Sequence, residues 1–226
     1  MVEAARQGRG MLRYARPIRR ALREIRLPVV RPVFGVVYVI TQICRITWHF
    51  IATFLYREPL LRYRCTRVGR RLHLEGAPPL VIGNGKIEIG DDVHIGSPCT
   101  WDIGNNAELI IGNRVSLNYR GIISVAQQVR IGDDTIIAGD VAIFDNTNHP
   151  VSPGRRLAGG SLTSAEMAPV EIGRNVWIGI HCIIMRGVLI GDNSVVAAGS
   201  IVTKSVPANT LVAGNPAIAI RELSDA

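Results

Sequence analysis

The sequence predicts an all-β fold, a left-handed parallel β-helix, over about residues 87–216 of the 226-residue chain. An aliphatic residue recurs there every six positions and is followed by Gly, Ala or Asp, and self-similarity at a short fixed period is typical of a solenoid. The composition agrees, since hydrophobic residues make up 47% of the chain and aromatic residues only 5%. A core of Ile, Val and Ala with few rings suits a repetitive β-structure.

The six-residue repeat has a simple geometric explanation. Three repeats form one triangular coil with a short strand on each face, and the aliphatic residue of each repeat points inward. The residue after it is small because the corner leaves little room and favours positive φ. A β-sandwich is the alternative, but its strands recur every eight to twelve residues, so the strict period disfavours it. The inward positions are Ile89, Ile95, Trp101, Ile111, Leu117, Ile123, Ile131, Ile137, Ile143, Ile172, Ile178, Ile184, Ile190, Val196 and Val202.

One long segment interrupts the repeat at residues 146–169. It contains Asn-His-Pro, Ser-Pro-Gly and Gly-Gly, which are loop sequences. A solenoid tolerates an insertion only where it bulges from a corner, often on the binding face, so we predict an active-site loop. We assign residues 72–216 to the β-helix domain and residues 217–226 to a short C-terminal tail that could form a helix.

Residues 1–71 differ from the rest in charge. They contain 16 Arg and three Glu, a net charge of +13, whereas residues 72–226 have a net charge of −5. Arg clusters bind either the phosphates of nucleic acids or an anionic membrane surface. The apolar stretch within this segment favours the membrane, and we expect no nucleic-acid partner.

We predict that residues 1–71 form a helical extension. Residues 11–26 have the pattern of a basic amphipathic helix, and residues 33–56 are largely apolar with polar residues at helical spacing. A membrane span needs about 20 uninterrupted apolar residues, and a charge near its middle is costly. We therefore predict peripheral membrane contact through residues 11–56. A single span, or a helix packed on the solenoid or on another subunit, are the alternatives. The polar positions are Gln42, Arg45, His49, Thr53 and Tyr56.

The four cysteines are widely spaced and include no Cys-x-x-Cys pair. This argues against a disulfide framework and against a thiolate zinc site, and it fits a reducing compartment. Together with the basic extension, it predicts a cytoplasmic protein at the inner face of the cell membrane.

Four further motifs follow one another in the second half of the chain. They are Asp145-Asn146-Thr147-Asn148-His149-Pro150, Val176-Trp177-Ile178-Gly179, Gly199-Ser200-Ile201-Val202-Thr203-Lys204 and Ala213-Gly214-Asn215-Pro216. In order and spacing, residues 87–221 resemble the hexapeptide-repeat acyltransferases of the maltose and galactoside O-acetyltransferase type. The resemblance implies a homotrimer that binds acetyl-CoA in clefts between neighbouring subunits.

His149 is the predicted catalytic residue. A hydroxyl group that attacks a thioester needs a base to take its proton, and imidazole suits that role near neutral pH. The resemblance places His149 at the position of the family's catalytic histidine. Asp145 is the nearest candidate to orient its ring.

The resemblance also suggests the other site residues. Asn118 and Trp177 are predicted to bind substrate, and Ala198 and Gly199 would bind the pantetheine amides. Thr203, Lys204 and Arg221 would meet the phosphates or adenine of acetyl-CoA.

Two departures from the family pattern bear on these roles. Ala126-Gln127 stand where galactoside-type members have acidic sugar-binding residues, which puts a galactoside or maltose substrate in doubt. Ile218 stands where many members have a basic residue.

These observations predict an O-acetyltransferase that acts on a saccharide or lipid-linked glycan by direct attack, with no metal. An amino-sugar N-acetyltransferase and a non-catalytic hexapeptide-repeat scaffold are the alternatives. A γ-class carbonic anhydrase would need three converging histidines, and His94, His149 and His181 lack a paired spacing.

Overall fold

The computed structural model describes residues 31–224. The chain divides into two compact units, Met1–Trp48 and His49–Ala226. The second unit contains twenty strands. In chain order they are β1 (Arg67–Val68), β2 (His73–Leu74), β3 (Leu80–Ile82), β4 (Lys86–Ile89), β5 (His94–Ile95), β6 (Thr100–Ile103), β7 (Glu108–Ile111), β8 (Ser116–Leu117), β9 (Ile122–Val125), β10 (Gln128–Ile131), β11 (Ile136–Ile137), β12 (Ala142–Phe144), β13 (Val170–Ile172), β14 (Trp177–Ile178), β15 (Ile183–Ile184), β16 (Leu189–Ile190), β17 (Val195–Val196), β18 (Ile201–Val202), β19 (Thr210–Gly214) and β20 (Ala217–Glu222).

The strands form three sheets of almost wholly parallel strands. Sheet A has the order β1-β4-β7-β10-β13-β16, sheet B has β2-β5-β8-β11-β14-β17-β19-β20, and sheet C has β3-β6-β9-β12-β15-β18. Up to β18 each sheet takes every third strand, so the chain winds around a triangular prism of about six coils, and β19 and β20 extend sheet B. This confirms the predicted left-handed β-helix.

The helices and turns lie outside the sheets. They are α1 (Arg31–Ala52), a π-helical turn (Thr53–Arg57), α2 (Glu58–Arg64), α3 (Pro153–Leu157) and a 3₁₀ turn (Ser164–Glu166).

The core is a stack of inward-facing aliphatic side chains. Ile87, Leu109, Val129 and Val170 pair in register across sheet A, and each is 0% exposed. Burying one such side chain contributes about 1.5–3 kcal/mol. The repetition of these layers from coil to coil therefore explains why the six-residue pattern specifies the fold.

The small residue that follows each inward aliphatic residue is required by space. A Cβ on Gly132 would lie 2.6 Å from the carbonyl carbon of Gly173 on the next coil. The φ angle of Gly132 is not in the left-handed region, so the expected positive φ at this position is wrong. Left-handed residues come two positions later instead, and seven of them lie where the chain turns from sheet A to sheet B. They are Arg71, Asp92, Arg114, Asp134, Asn175, Asn193 and Asn209.

Helix α2 covers the first coil. Leu61 is 2% exposed and belongs to the core cluster, and the Arg64 guanidinium donates to the carbonyls of Gly83 (2.7 Å) and Gly85 (3.1 Å). Strand β1 starts at Arg67, so the solenoid begins a few residues before the expected boundary at residue 72.

Helix α1 has an apolar exposed surface. Trp48 and Phe50 are 68% and 70% exposed. By length and composition alone, the helical stretch Arg31–Arg64 is sufficient to cross a membrane. The predicted basic helix at 11–26 lies outside the described residues.

The C-terminal tail contains a strand instead of the helix that the sequence allowed. Residues Ala217–Glu222 form β20, which pairs antiparallel with β19. The chain reverses at Gly214, whose φ is +105°, and Asn215-Pro216 complete the turn. The reversal brings the alternating Ala-Ile-Ala-Ile segment beside β19, where backbone pairing favours a strand.

Candidate active site

The long excursion leaves the β-helix at the corner between sheets C and A, which we call the C–A corner. Strand β12 ends at Phe144 and β13 begins at Val170. Asp145 opens the excursion and is fully buried. Its carboxylate oxygens accept the backbone N–H groups of Ala126 and Gln127, both at 2.7 Å. Asp145 therefore fastens the base of the loop to the preceding coil.

A hydrogen-bonded turn presents His149. The side-chain oxygen of Asn146 accepts the N–H of Asn148 at 2.7 Å, and Asn148 has a φ of +58°, a conformation that Asn tolerates well. The hydroxyl of Ser124 donates to the Asn148 side chain at 2.9 Å. The His149 N–H donates to the Thr147 carbonyl (2.7 Å), and the Thr147 hydroxyl donates to the His149 carbonyl (2.9 Å). The backbone of His149 is therefore fixed on both sides.

The imidazole of His149 is exposed and forms no hydrogen bond with any residue between 31 and 224. The Asp145 carboxylate, which the sequence suggested as the orienting group, is occupied by Ala126, Gln127 and the Asn146 amide (2.9 Å). The interpretation of Asp145 as the group that orients the ring is thus replaced by an anchoring role. The imidazole is left available to a ligand.

Glu166, which was not among the residues predicted from the sequence, holds the rest of the excursion together. Its carboxylate accepts the N–H groups of Val151 (2.7 Å) and Thr163 (2.8 Å), the Thr163 hydroxyl (2.9 Å) and the Arg155 guanidinium (3.1 Å). The two backbone hydrogen bonds are the main reason that the pKa of Glu166 falls to about 2 from an ordinary value of 4.5. The Thr-x-x-Glu spacing at 163–166 is a capping box, so the signal was present in the sequence.

We predict that the excursion loosens at acid pH through Glu166. Because the folded state lowers this pKa, the stabilisation is fully present above about pH 4.5 and is lost as the pH falls towards about 2. The measurement is the protection of the amides of residues 151–163 against hydrogen exchange, relative to an unfolded chain at the same pH, between about pH 6 and about pH 3. In the Glu166→Gln variant these amides should have low protection at every pH in this range. Glu171→Gln, which changes an exposed glutamate of sheet A, should behave like the unmodified protein.

A second feature is an apolar groove on the outward face of sheet B. Trp177 pairs in register with Ile136 and Val195 and is 56% exposed. A Cβ on Gly179 would lie 2.6 Å from the backbone nitrogen of Ala198, so the floor of the groove has to be glycine. The groove encloses about 450 Å³, and its lining includes Trp177, Ile180, Val195, Ala197, Ala198 and Leu211.

The structure places the predicted site residues in two groups. Around sheet B lie Trp177 and Ala198 in the groove, Gly199 at the next corner with a φ of +72°, and Arg221 on β20 opposite Leu211. Asn118 follows strand β8 of the same sheet, and its side-chain N–H donates to the Ile137 carbonyl at 3.1 Å.

The second group lies at the C–A corner. It consists of His149 together with Thr203 and Lys204, which are both exposed just after β18. No hydrogen bond between residues of the described chain joins His149 to Asn118 or Trp177. Within residues 31–224, no three His, Cys, Asp or Glu side chains form a group that could hold a metal ion.

Comparison with known proteins gives a consistent result. A family model described as the hexapeptide repeat of succinyl-transferase matches residues 169–204. The galactoside O-acetyltransferase of Escherichia coli (strain K12) is 40% identical over 137 residues, which cover 61% of this chain and 64% of that protein, just under two thirds of its length. A putative acetyltransferase of Schizosaccharomyces pombe is 30% identical over 186 residues, covering 75% of this chain and 86% of the relative.

Solved structures agree with the sequence relatives. A galactoside acetyltransferase in complex with coenzyme A is 34% identical and superposes with a TM-score of 0.51, covering 75% of this chain and 70% of that one. Similarity of sequence and similarity of fold therefore lead to the same kind of protein. The chain belongs to the family of hexapeptide-repeat acyltransferases.

Proposed function

We propose that the protein transfers an acetyl group from acetyl-CoA to a hydroxyl group of a saccharide or lipid-linked glycan. The observation that carries the proposal is the presentation of His149. Its backbone is held by Thr147, and its exposed imidazole has no hydrogen-bond partner in the described part of the chain. A fixed backbone with a free imidazole suits a general base that meets its proton donor only when substrate binds.

In the proposed reaction, His149 takes the proton of the acceptor hydroxyl as its oxygen attacks the thioester carbonyl carbon. The new C–O bond forms, the C–S bond breaks, and coenzyme A leaves as a thiol after receiving a proton from the imidazolium. No covalent enzyme intermediate is needed. The acetyl group passes directly between the two substrates.

The groove on sheet B is the proposed donor site. Trp177 and Ala198 line it, and Gly199 and Arg221 lie at its margins. An apolar channel with backbone groups at one side suits the pantetheine arm, and the cationic side chains of Lys204 and Arg221, with Thr203, suit the phosphates or adenine. The related galactoside acetyltransferase was solved in complex with coenzyme A, which supports acetyl-CoA as the donor.

We propose that the active unit is a homotrimer. His149 lies at the C–A corner, whereas Trp177 and Ala198 lie on sheet B, so neighbouring protomers would bring the two groups together. The outward face of sheet C has exposed apolar residues, Leu80 (62%) and Ile122 (45%), that contact between protomers would cover. Asn118 would then hold the acceptor through its side-chain oxygen, since its N–H already binds Ile137.

The proposed acceptor is not a simple galactoside. At Ala126-Gln127 the backbone N–H groups bind Asp145, and the two side chains offer no carboxylate to a sugar. The apolar surface of α1 and the basic segment before it instead favour an acceptor at a membrane, such as a lipid-linked glycan. We propose a cytoplasmic location at the inner face of the cell membrane.

The membrane contact leads to a direct prediction. The intact protein should sediment with anionic lipid vesicles, and Trp48→Glu together with Phe50→Glu should weaken vesicle binding at least tenfold, because each ring removed from lipid costs about 1.5–3 kcal/mol. Leu189→Glu, at a site 48% exposed on sheet A, is the matched control and should bind like the unmodified protein. Equal binding of all three proteins would exclude α1 as the contact.

The activity is tested by incubating the protein with acetyl-CoA and a panel of hydroxyl and amino acceptors. Release of free thiol together with an alkali-labile ester product is the expected result. An amide product would instead identify an amino-sugar N-acetyltransferase. Thiol release with none of the acceptors would favour the non-catalytic scaffold.

A further inference from the structure

Helix α2 and the π-helical turn before it present an apolar, aromatic surface beside the first coil of the β-helix. Tyr56, Leu60 and Tyr63 are 63%, 42% and 92% exposed. They are four and three residues apart, so they lie along one side of the helical stretch. We call these three residues the cap stripe. The membrane contact proposed above ends at residue 56, so Leu60 and Tyr63 extend beyond it.

Helix α2 is fastened firmly to the first coil. Leu61 is 2% exposed and belongs to the core cluster. The Arg62 guanidinium donates to the carbonyl of Gly69 at 2.9 Å. The Arg64 guanidinium donates to the carbonyl of Gly83 at 2.7 Å. Because α2 is held at three points, a surface that binds the cap stripe also fixes the orientation of the β-helix.

The segment that carries the cap stripe is strongly basic. Residues 57–71 contain six Arg and one Glu, a net charge of +5. Arg70 and Arg71 contact Asp91 and Asp92, so these groups together still have a net charge of +3. Apolar side chains among arginines are typical of a surface that binds anionic lipid, because the apolar groups enter the bilayer while the cations meet the headgroups. Tyrosine is enriched at the level of the headgroups.

We propose that the cap stripe docks on an anionic membrane, so that the first coil of the β-helix lies against the lipid headgroups. The alternative partner for an apolar stripe is a second copy of this chain. Two copies that met through this surface would bring like charges together, which opposes their association. An anionic bilayer has the opposite charge, so it fits both the apolar and the charged groups.

This orientation brings the candidate site close to the bilayer. Sheet B begins with β2 in the first coil, and β8, which precedes Asn118, is two strands further along the sheet. Neighbouring strands lie about 4.8 Å apart, so β8 is about 10 Å from β2. A lipid-linked acceptor in the same bilayer would therefore have a short distance to reach. That consequence rests on the proposed function, whereas docking of the cap stripe does not.

A charge variant tests the orientation on the membrane. Arg67 and Arg130 are exposed in the same row of sheet A, and each pairs in register with a glutamate, Glu88 or Glu171. Arg67→Gln, in the first coil, should weaken binding to anionic vesicles about fivefold, the contribution of one cation close to an anionic surface. Arg130→Gln removes the same charge three coils away and should bind like the unmodified protein. Equal affinities of the two variants would overturn the proposed orientation.

Thiol accessibility tests the contact itself in the intact protein. Tyr63→Cys places a thiol in the cap stripe, and Leu189→Cys places one on sheet A at a site that is 48% exposed. The vesicles consist of phosphatidylcholine and phosphatidylserine, and the rate of modification by a neutral, water-soluble maleimide is followed at each thiol by peptide mass spectrometry. We expect the vesicles to slow modification of the Tyr63→Cys variant about tenfold or more, because lipid covers its thiol, and to leave the Leu189→Cys variant unchanged.

The other outcomes each overturn the proposal. Vesicle binding with both thiols equally reactive would show that α1 holds the protein without the cap stripe. Protection of the Tyr63→Cys thiol that needs no vesicles and grows with protein concentration would identify a second copy as the partner. Absence of vesicle binding would remove the contact of α1 as well. Acetyl transfer to a water-soluble acceptor, measured without vesicles, tests the proposed function separately from all of these results.

Discussion

Replacing His149 with alanine should lower kcat for acetyl transfer by about 10²–10⁴-fold, the usual contribution of a general base. The KM for acetyl-CoA should stay within about twofold, because in this proposal the imidazole acts on the acceptor hydroxyl and holds no part of the donor. The measurement is the initial rate of thiol release with saturating acceptor. Since the hydroxyl proton has no other base in this proposal, the loss should appear with every acceptor.

The fold should survive this change. The His149 imidazole is exposed and has no hydrogen-bond partner among residues 31–224, while the turn is held by backbone groups and by Asn146, Asn148 and Thr147. Unfolding temperature and circular dichroism should therefore match the unmodified protein. His181→Ala is the matched control, since His181 is also exposed, with its Nδ1 3.9 Å from an Asp140 oxygen. A comparable fall in kcat in both variants, or a normal kcat in His149→Ala, would contradict the assignment.

The fold could be predicted because the repeat is local. Ile172, Ile178 and Ile184 are six residues apart, lie on sheets A, B and C, and are each at most 2% exposed. The six-residue period therefore predicts the inward-facing residues of all three sheets. The lack of room at the small residues was predicted, but the atoms that crowd them were not, because the close approach of Gly132 to Gly173 joins residues 41 apart across the loop. The strand β20 likewise depends on a reversal at Gly214 that residues 217–222 do not encode by themselves.

The candidate site could be predicted only in part, because some of its contacts join residues that are far apart in the sequence. The motif at 145–150 located the histidine, but spacing alone made Asp145 look like a partner of His149. The actual partners of Asp145, Ala126 and Gln127, are 19 and 18 residues away and become neighbours only through the winding of the coil.

Asp145→Ala should be the most destabilising change at the site. The substitution removes a fully buried carboxylate and leaves the N–H groups of Ala126 and Gln127 without acceptors. Hydrogen bonds to a charged group contribute about 1.5–3 kcal/mol each, so we expect the free energy of unfolding to fall by about 3–5 kcal/mol. Urea unfolding followed by circular dichroism measures the loss.

Asp145→Asn separates anchoring from orientation of the imidazole. The amide keeps one acceptor oxygen, so about half of the stability should return, and kcat should recover with it if Asp145 acts by fastening the loop. If Asp145 instead fixed the ring of His149 through its charge, the Asn variant would regain the same stability and would remain as inactive as Asp145→Ala. The hydrogen bonds to Ala126 and Gln127, both at 2.7 Å, favour the first result. Both carboxylate oxygens of Asp145 already accept backbone N–H groups of the previous coil, so neither is available to orient an exposed imidazole.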